Sequence, residues 1–98
     1  MMPRKVIIRP RAEKAIQAVA LFIESKNTPG SGAKWVNQIL DFLLLRSAIV
    51  SSYPLCRNIH LSQRNFSCII FNKKWVIVFK QTKRTFDVHQ VIYGPNLI

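Results

Sequence analysis

The sequence predicts an α+β domain in the order β-α-α-β-β-β, an antiparallel sheet with a helical hairpin packed on one face. Three observations carry that prediction. In the first half, apolar residues recur at three- and four-residue spacing in two stretches divided by a Pro-Gly cluster. In the second half, three runs of β-branched and aromatic residues are separated by short polar turns. The chain of 98 residues is 49% apolar, which suits one small domain over residues 1–98.

The elements follow in order. Val6-Ile7-Ile8 is a short β-prone run, and Pro10 is acceptable in the first turn of a helix. Ala12, Ala15, Ile16, Val19, Phe22 and Ile23 then mark one face of a helix ending near Lys26. Asn27-Thr28-Pro29-Gly30-Ser31-Gly32 is a breaker cluster and reads as an interhelix turn. A second helix runs roughly from Ser31 to Ser51, with Trp35, Ile39, Leu43 and Ile49 as its stripe, widened by Val36, Leu40 and Phe42. Tyr53-Pro54 closes it, because a residue before proline is disfavoured in the helical region. Phe66–Phe71, Trp75–Lys80 and Phe86–Tyr93 are the strands of a meander, stopped by Gly94-Pro95. The middle strand is apolar on both faces, with Trp75, Ile77 and Phe79 on one and Val76 and Val78 on the other. A helical hairpin covers one face only, so part of the other is expected either to be covered by the C-terminal Asn96-Leu97-Ile98 or a partner chain, including a second copy in a homodimer, or to remain as a small, tolerated apolar face.

Charge is the strongest functional signal. Fifteen Lys and Arg face four Asp and Glu, a formal net charge of +11. The apolar content excludes a disordered basic tail, and the charge favours a polyanion or an acidic protein as partner. Asp41 and Arg46 interrupt the leucine-rich stretch Ile39–Val50, which is too short to span a bilayer, so no membrane role is expected. Ala15–Ile23 follows basic residues as a signal peptide would, but it contains Gln17 and no small-x-small site follows; a cytoplasmic protein is expected. Cys56 and Cys68 lie in a region read as strand and are expected to be buried free thiols; their spacing matches no zinc site. The glycines form no phosphate loop, and no Ser-His-carboxylate set is present, so neither a cofactor nor a metal is expected.

The element order, with the segments VIIRPRAEKAIQAVALFIE, SGAKWVNQILDFLLLRSAIVSSYP, KKWVIVFKQ and FDVHQVIYG, resembles the RelE/ParE superfamily of toxins from type II toxin–antitoxin systems. The resemblance spans Lys5 to Leu97. It implies a toxin neutralised by a cognate acidic antitoxin. Two activities come with it: ParE-like action on DNA gyrase, and RelE-like, metal-independent cleavage of messenger RNA on the ribosome. RelE-like members usually carry an Arg after the aromatic of the central strand and another after the last strand. Val76 and Pro95-Asn96 stand there, so the expectation is ParE-like growth inhibition. The alternatives are the RelE-like endonuclease, a non-enzymatic basic nucleic-acid-binding module and a degenerate, inactive toxin.

Candidate residues follow from these readings. His89 and Tyr93, four apart on one strand, are expected to share a face and could pass a proton; the bland alternative is a half-buried strand residue beside an edge tyrosine. Arg57, His60 and Arg64 cluster before the first meander strand, as an RNA or antitoxin contact or as a solvated loop. Lys73, Lys74, Lys80, Lys83 and Arg84 crowd the meander turns and would attract nucleic acid or an antitoxin.

Overall fold

A computed structural model describes residues 4–49 and 53–94. Among them the elements are β1 (Lys5–Ile8), α1 (Pro10–Lys26), α2 (Ser31–Ala48), α3 (Ile59–Gln63), β2 (Ser67–Phe71), β3 (Trp75–Gln81) and β4 (Thr85–Tyr93). The strands form one sheet in the order β1-β4-β3-β2. The antiparallel expectation holds for β2, β3 and β4. It fails at β1, which pairs parallel to β4 from Lys5↔Thr85 to Ile8↔Val88, so the sheet is mixed. The connection from β1 to β4 runs through the helical hairpin, α3 and the strands β2 and β3, long enough to bring β4 alongside β1 in the same direction.

Pro10 opens α1 after an extended Arg9, and Glu13 and Lys26 sit at the ends that the helix dipole favours. The hairpin turn is held from α1. Both carboxylate oxygens of Glu24 accept backbone N–H bonds from the start of α2, from Gly30 at 2.6 Å and from Gly32 at 2.8 Å. Two of the unpaired donors of that helix start are thereby satisfied by an ionised acceptor. Gly30 has φ +90°, and a Cβ on Gly32 would stand 2.5 Å from the Ala20 carbonyl oxygen, so the helices approach through a glycine. α2 ends at Ala48; its expected last residue, Ser51, lies outside the described residues, as do Pro95 and Asn96-Leu97-Ile98.

The core lies between the hairpin and one face of the sheet. Ala12 and Ile16 of α1 and Trp35, Ile39 and Leu43 of α2 meet Phe71, Ile77, Phe79, Phe86, Val88 and Val91. Phe79 and Phe86 stack at 4.3 Å, and Tyr53 stands edge-on to Phe79 at 5.4 Å. Each large side chain taken out of water there contributes about 1.5–3 kcal/mol. The helical stripes were legible with two exceptions: Phe22 is 61% exposed and Ile49 39%.

On the second face of the sheet the chain itself supplies much of the cover, and Ile70 there stays 65% exposed; the C-terminal residues expected to help lie outside the described residues. The segment from Pro54 to Phe66, carrying the unanticipated α3, lies across that face and buries Val78 to 1% beneath Cys56 and Phe66. Cys56 and Cys68 are not free thiols. They form a disulfide that ties this strap to β2. The Cys56 N–H also donates to the Phe66 carbonyl at 2.9 Å, and Leu55 makes an isolated bridge to Ser67.

Candidate nucleic-acid interface

Irregularity in β4 creates the candidate site. Val78 pairs with Gln90 but Phe79 pairs with Val88, so His89 is the extra residue of a β-bulge. Before the bulge, Phe86 and Val88 face the helices; after it, Val91 does. Period-two alternation is therefore broken between His89 and Tyr93. His89 points to the strap side, its ring edge-on to Phe66 at 5.0 Å. Tyr93 packs against Trp75 at 5.3 Å on the hairpin side. The two residues expected to share a face stand on opposite ones, and they cannot exchange a proton.

Cations from three separate parts of the chain surround His89. The parallel β1 delivers the first: the Arg9 N–H donates to the Val88 carbonyl at 2.9 Å, and the Arg9 guanidinium bonds Asp87 at 2.9 Å. The strap delivers Arg64, 5.3 Å from the centre of the Phe66 ring, and β3 delivers Lys80, whose Nζ lies 4.7 Å from the same centre. Arg9, Arg11, Leu61, Arg64, Phe66 and Ile92 line a cleft of about 440 Å³ at His89, with Lys80 over the Phe66 ring outside that lining. Asp87, the carboxylate whose charge acts on His89, is engaged by Arg9; its other oxygen, Oδ1, is buried without a hydrogen-bond partner among the described residues. Burial and then Arg9 push the His89 pKa below its ordinary value; Lys80 and Arg64 add to the fall, and Asp87 opposes it. The ring is therefore neutral at pH 7 and can accept a proton. Cations beside a neutral base form an arrangement that binds a phosphodiester and deprotonates a nearby hydroxyl.

The remaining expected residues lie elsewhere. Arg57 lines a different cleft, beside the disulfide. His60 is exposed on α3, whose start is capped by the Asn58 side chain accepting from the His60 and Leu61 N–H groups. Lys73 and Lys74 occupy the β2–β3 turn, where Asn72 and Lys73 both have positive φ. Lys83 and Arg84 occupy the β3–β4 turn, at the far end of β3. Of the expected cations, the fold gathers only Arg64 and Lys80 around His89. Arg9 and Arg11 were missed: they follow β1 in sequence, and nothing local announces that β1 docks beside β4.

Among the described residues, no group of three or more His, Cys, Asp or Glu could hold a metal ion, and no helix is long and apolar enough to cross a membrane. The fold and cleft define a class: a small α+β protein with a cationic cleft built around a neutral histidine. No protein-family model matches the chain, and no curated protein matches it.

Proposed function

We propose that the protein is the toxin of a toxin–antitoxin pair, and that its toxic surface is the cleft around His89, acting on the phosphodiester backbone of messenger RNA. The observation that carries this reading is an imidazole held toward its neutral form among Arg9, Arg64 and Lys80, while Asp87, the carboxylate whose charge acts on it, is already engaged by Arg9. The element order and the net charge of +11 support the pairing with an acidic antitoxin. The arginines expected at Val76 and after β4 are missing, but the cleft has cations of its own.

In this mechanism Arg64 and Lys80 bind the non-bridging oxygens of the scissile phosphate. His89 takes the proton of the adjacent 2′-hydroxyl. The 2′-oxygen forms a bond to phosphorus, the bond from phosphorus to the 5′-oxygen breaks, and that oxygen takes a proton from water, whose hydroxide then takes the proton held by His89. The products are a 2′,3′-cyclic phosphate and a free 5′-hydroxyl. The cations offset the charge that accumulates on phosphorus oxygens in the transition state.

The test is induced expression of the chain and of its His89→Gln variant, followed by mapping of new RNA 5′ ends. Growth arrest with cleaved messages is expected for the parent, and neither for the variant. Arrest with intact messages and filamentous cells would overturn the RNA reading in favour of gyrase. Failure to co-purify with a small acidic protein encoded beside it would overturn the toxin–antitoxin reading.

A further inference from the structure

We propose that the Cys56–Cys68 bond is an exchangeable disulfide, that the cleft above it admits an anionic thiol, and that its reduction unclasps the strap that walls the His89 cleft. The proposal rests on the proposed function in one respect: RNA and gyrase both lie in a reducing compartment, where disulfides are transient and not structural.

Three observations point the same way. First, the bond is reachable. The two cysteines line an open cleft of about 550 Å³, walled by Pro54, Leu55, Ile70 and Val76 with Arg57 at its side. Cys68 is half-buried, whereas Cys56 is 5% exposed, so the proposed attack is on the more exposed partner, Cys68. Second, the cleft has a sign. Arg57 stands beside the bond, and its charge attracts an anionic thiol and stabilises the Cys56 thiolate as it leaves. Third, the bond controls something. Beyond it, the start of the strap is held by the Cys56 N–H bond to Phe66 at the strap's own end, by the Leu55–Ser67 bridge to β2 and by the packing of Cys56 and Phe66 on Val78. The strap carries Leu61, Arg64 and Phe66, which form one side of the His89 cleft.

The exchange balances without any further reagent. A thiolate attacks Cys68 Sγ, forming a mixed disulfide there and expelling the Cys56 thiolate, which takes up a proton. A second thiol attacks the mixed disulfide; the small-molecule disulfide departs and Cys68 becomes a thiol. Two electrons pass from the two small thiols to the protein. With the loop opened, the strap lifts more often, and Arg64 and Phe66 leave His89.

The experiment treats the folded, oxidised protein with glutathione, an anionic monothiol, and with 2-mercaptoethanol, a neutral one, and counts free cysteines by alkylation and mass spectrometry. Glutathione is expected to reduce the bond faster at equal thiolate concentration, and Arg57→Gln is expected to remove that advantage. Amide hydrogen exchange at Cys56 and Phe66 is expected to quicken about tenfold or more on reduction, because the loop constraint is gone. Affinity for a single-stranded RNA oligomer is expected to fall in parallel. Reduction only after global unfolding, or unchanged exchange at both amides after reduction, would overturn the proposal. Faster exchange in a protein whose two forms both ignore RNA would leave the unclasping in place and sink the RNA reading alone. Both cysteines are kept throughout, so poor folding of a cysteine variant cannot confuse the result.

Discussion

At His89, burial and the charges of Arg9, Lys80 and Arg64 favour the neutral ring, and Asp87 alone opposes them. The folded-state pKa lies below the unfolded one, so the unfolded chain binds the proton first as pH falls. Stability from this group is present above about pH 6.5, the ordinary value for histidine, and is lost as pH falls through the lowered folded value. Thermal melts of the parent should therefore lose more Tm from pH 7 to pH 5 than melts of His89→Gln, in which the ring is absent. Cleavage of an RNA oligomer should hold its rate down to that same lowered value, since the base remains unprotonated until then. Tyr93 gives the contrasting case. It faces the hairpin side, 5.3 Å from Trp75, and Tyr93→Phe should leave the cleavage rate unchanged. A rate loss comparable to that of His89→Gln would contradict the bulge. The sequence pattern could not show this bulge: Phe86, Val88, Gln90 and Ile92 read as ordinary alternation, and the register shift is visible only against β3.

Among the elements, the hairpin rests on one side chain from outside the helix it caps. Glu24→Ala removes two charge-assisted hydrogen bonds at the start of α2 and should cost about 1–2 kcal/mol, read as a lower urea midpoint with an unchanged m-value. The helices themselves were legible because Ala12 with Ile16, and Trp35 with Ile39 and Leu43, repeat at the spacing of a buried helical face. The strands were legible because asparagine- and lysine-rich turns punctuate them. α3 escaped notice because five residues are too few to display a period, and its cap is the lone side chain of Asn58. The disulfide escaped because strand propensity says nothing of which segments cross. Cys56 reaches Cys68 only after the strap has turned back at Asn65, which has φ 63°.

For the molecule as a whole, the balance of charge governs how it meets a polyanion. Of its four acids, Glu24 is spent on the hairpin and Asp87 on Arg9. Three cleft cations contacting a single strand should give a slope of about −2 in log K against log salt, at about −0.7 per phosphate. Replacing both Arg64 and Lys80 by Gln should bring the slope above about −1, measured by fluorescence anisotropy of a labelled RNA oligomer across a salt series. An unchanged slope would move the contact to the turn lysines. The parallel docking of β1 beside β4 has a consequence during synthesis. Arg9 and Asp87, which meet at the cleft, are separated by 78 positions, and His89 lies further still along the chain. A ribosome makes the Arg9 wall of the cleft long before it makes the base. Until β4 emerges, β1 has no neighbour and the cleft does not exist. A chain that stops before β4 therefore lacks the cleft, which assembles only once that strand has been made.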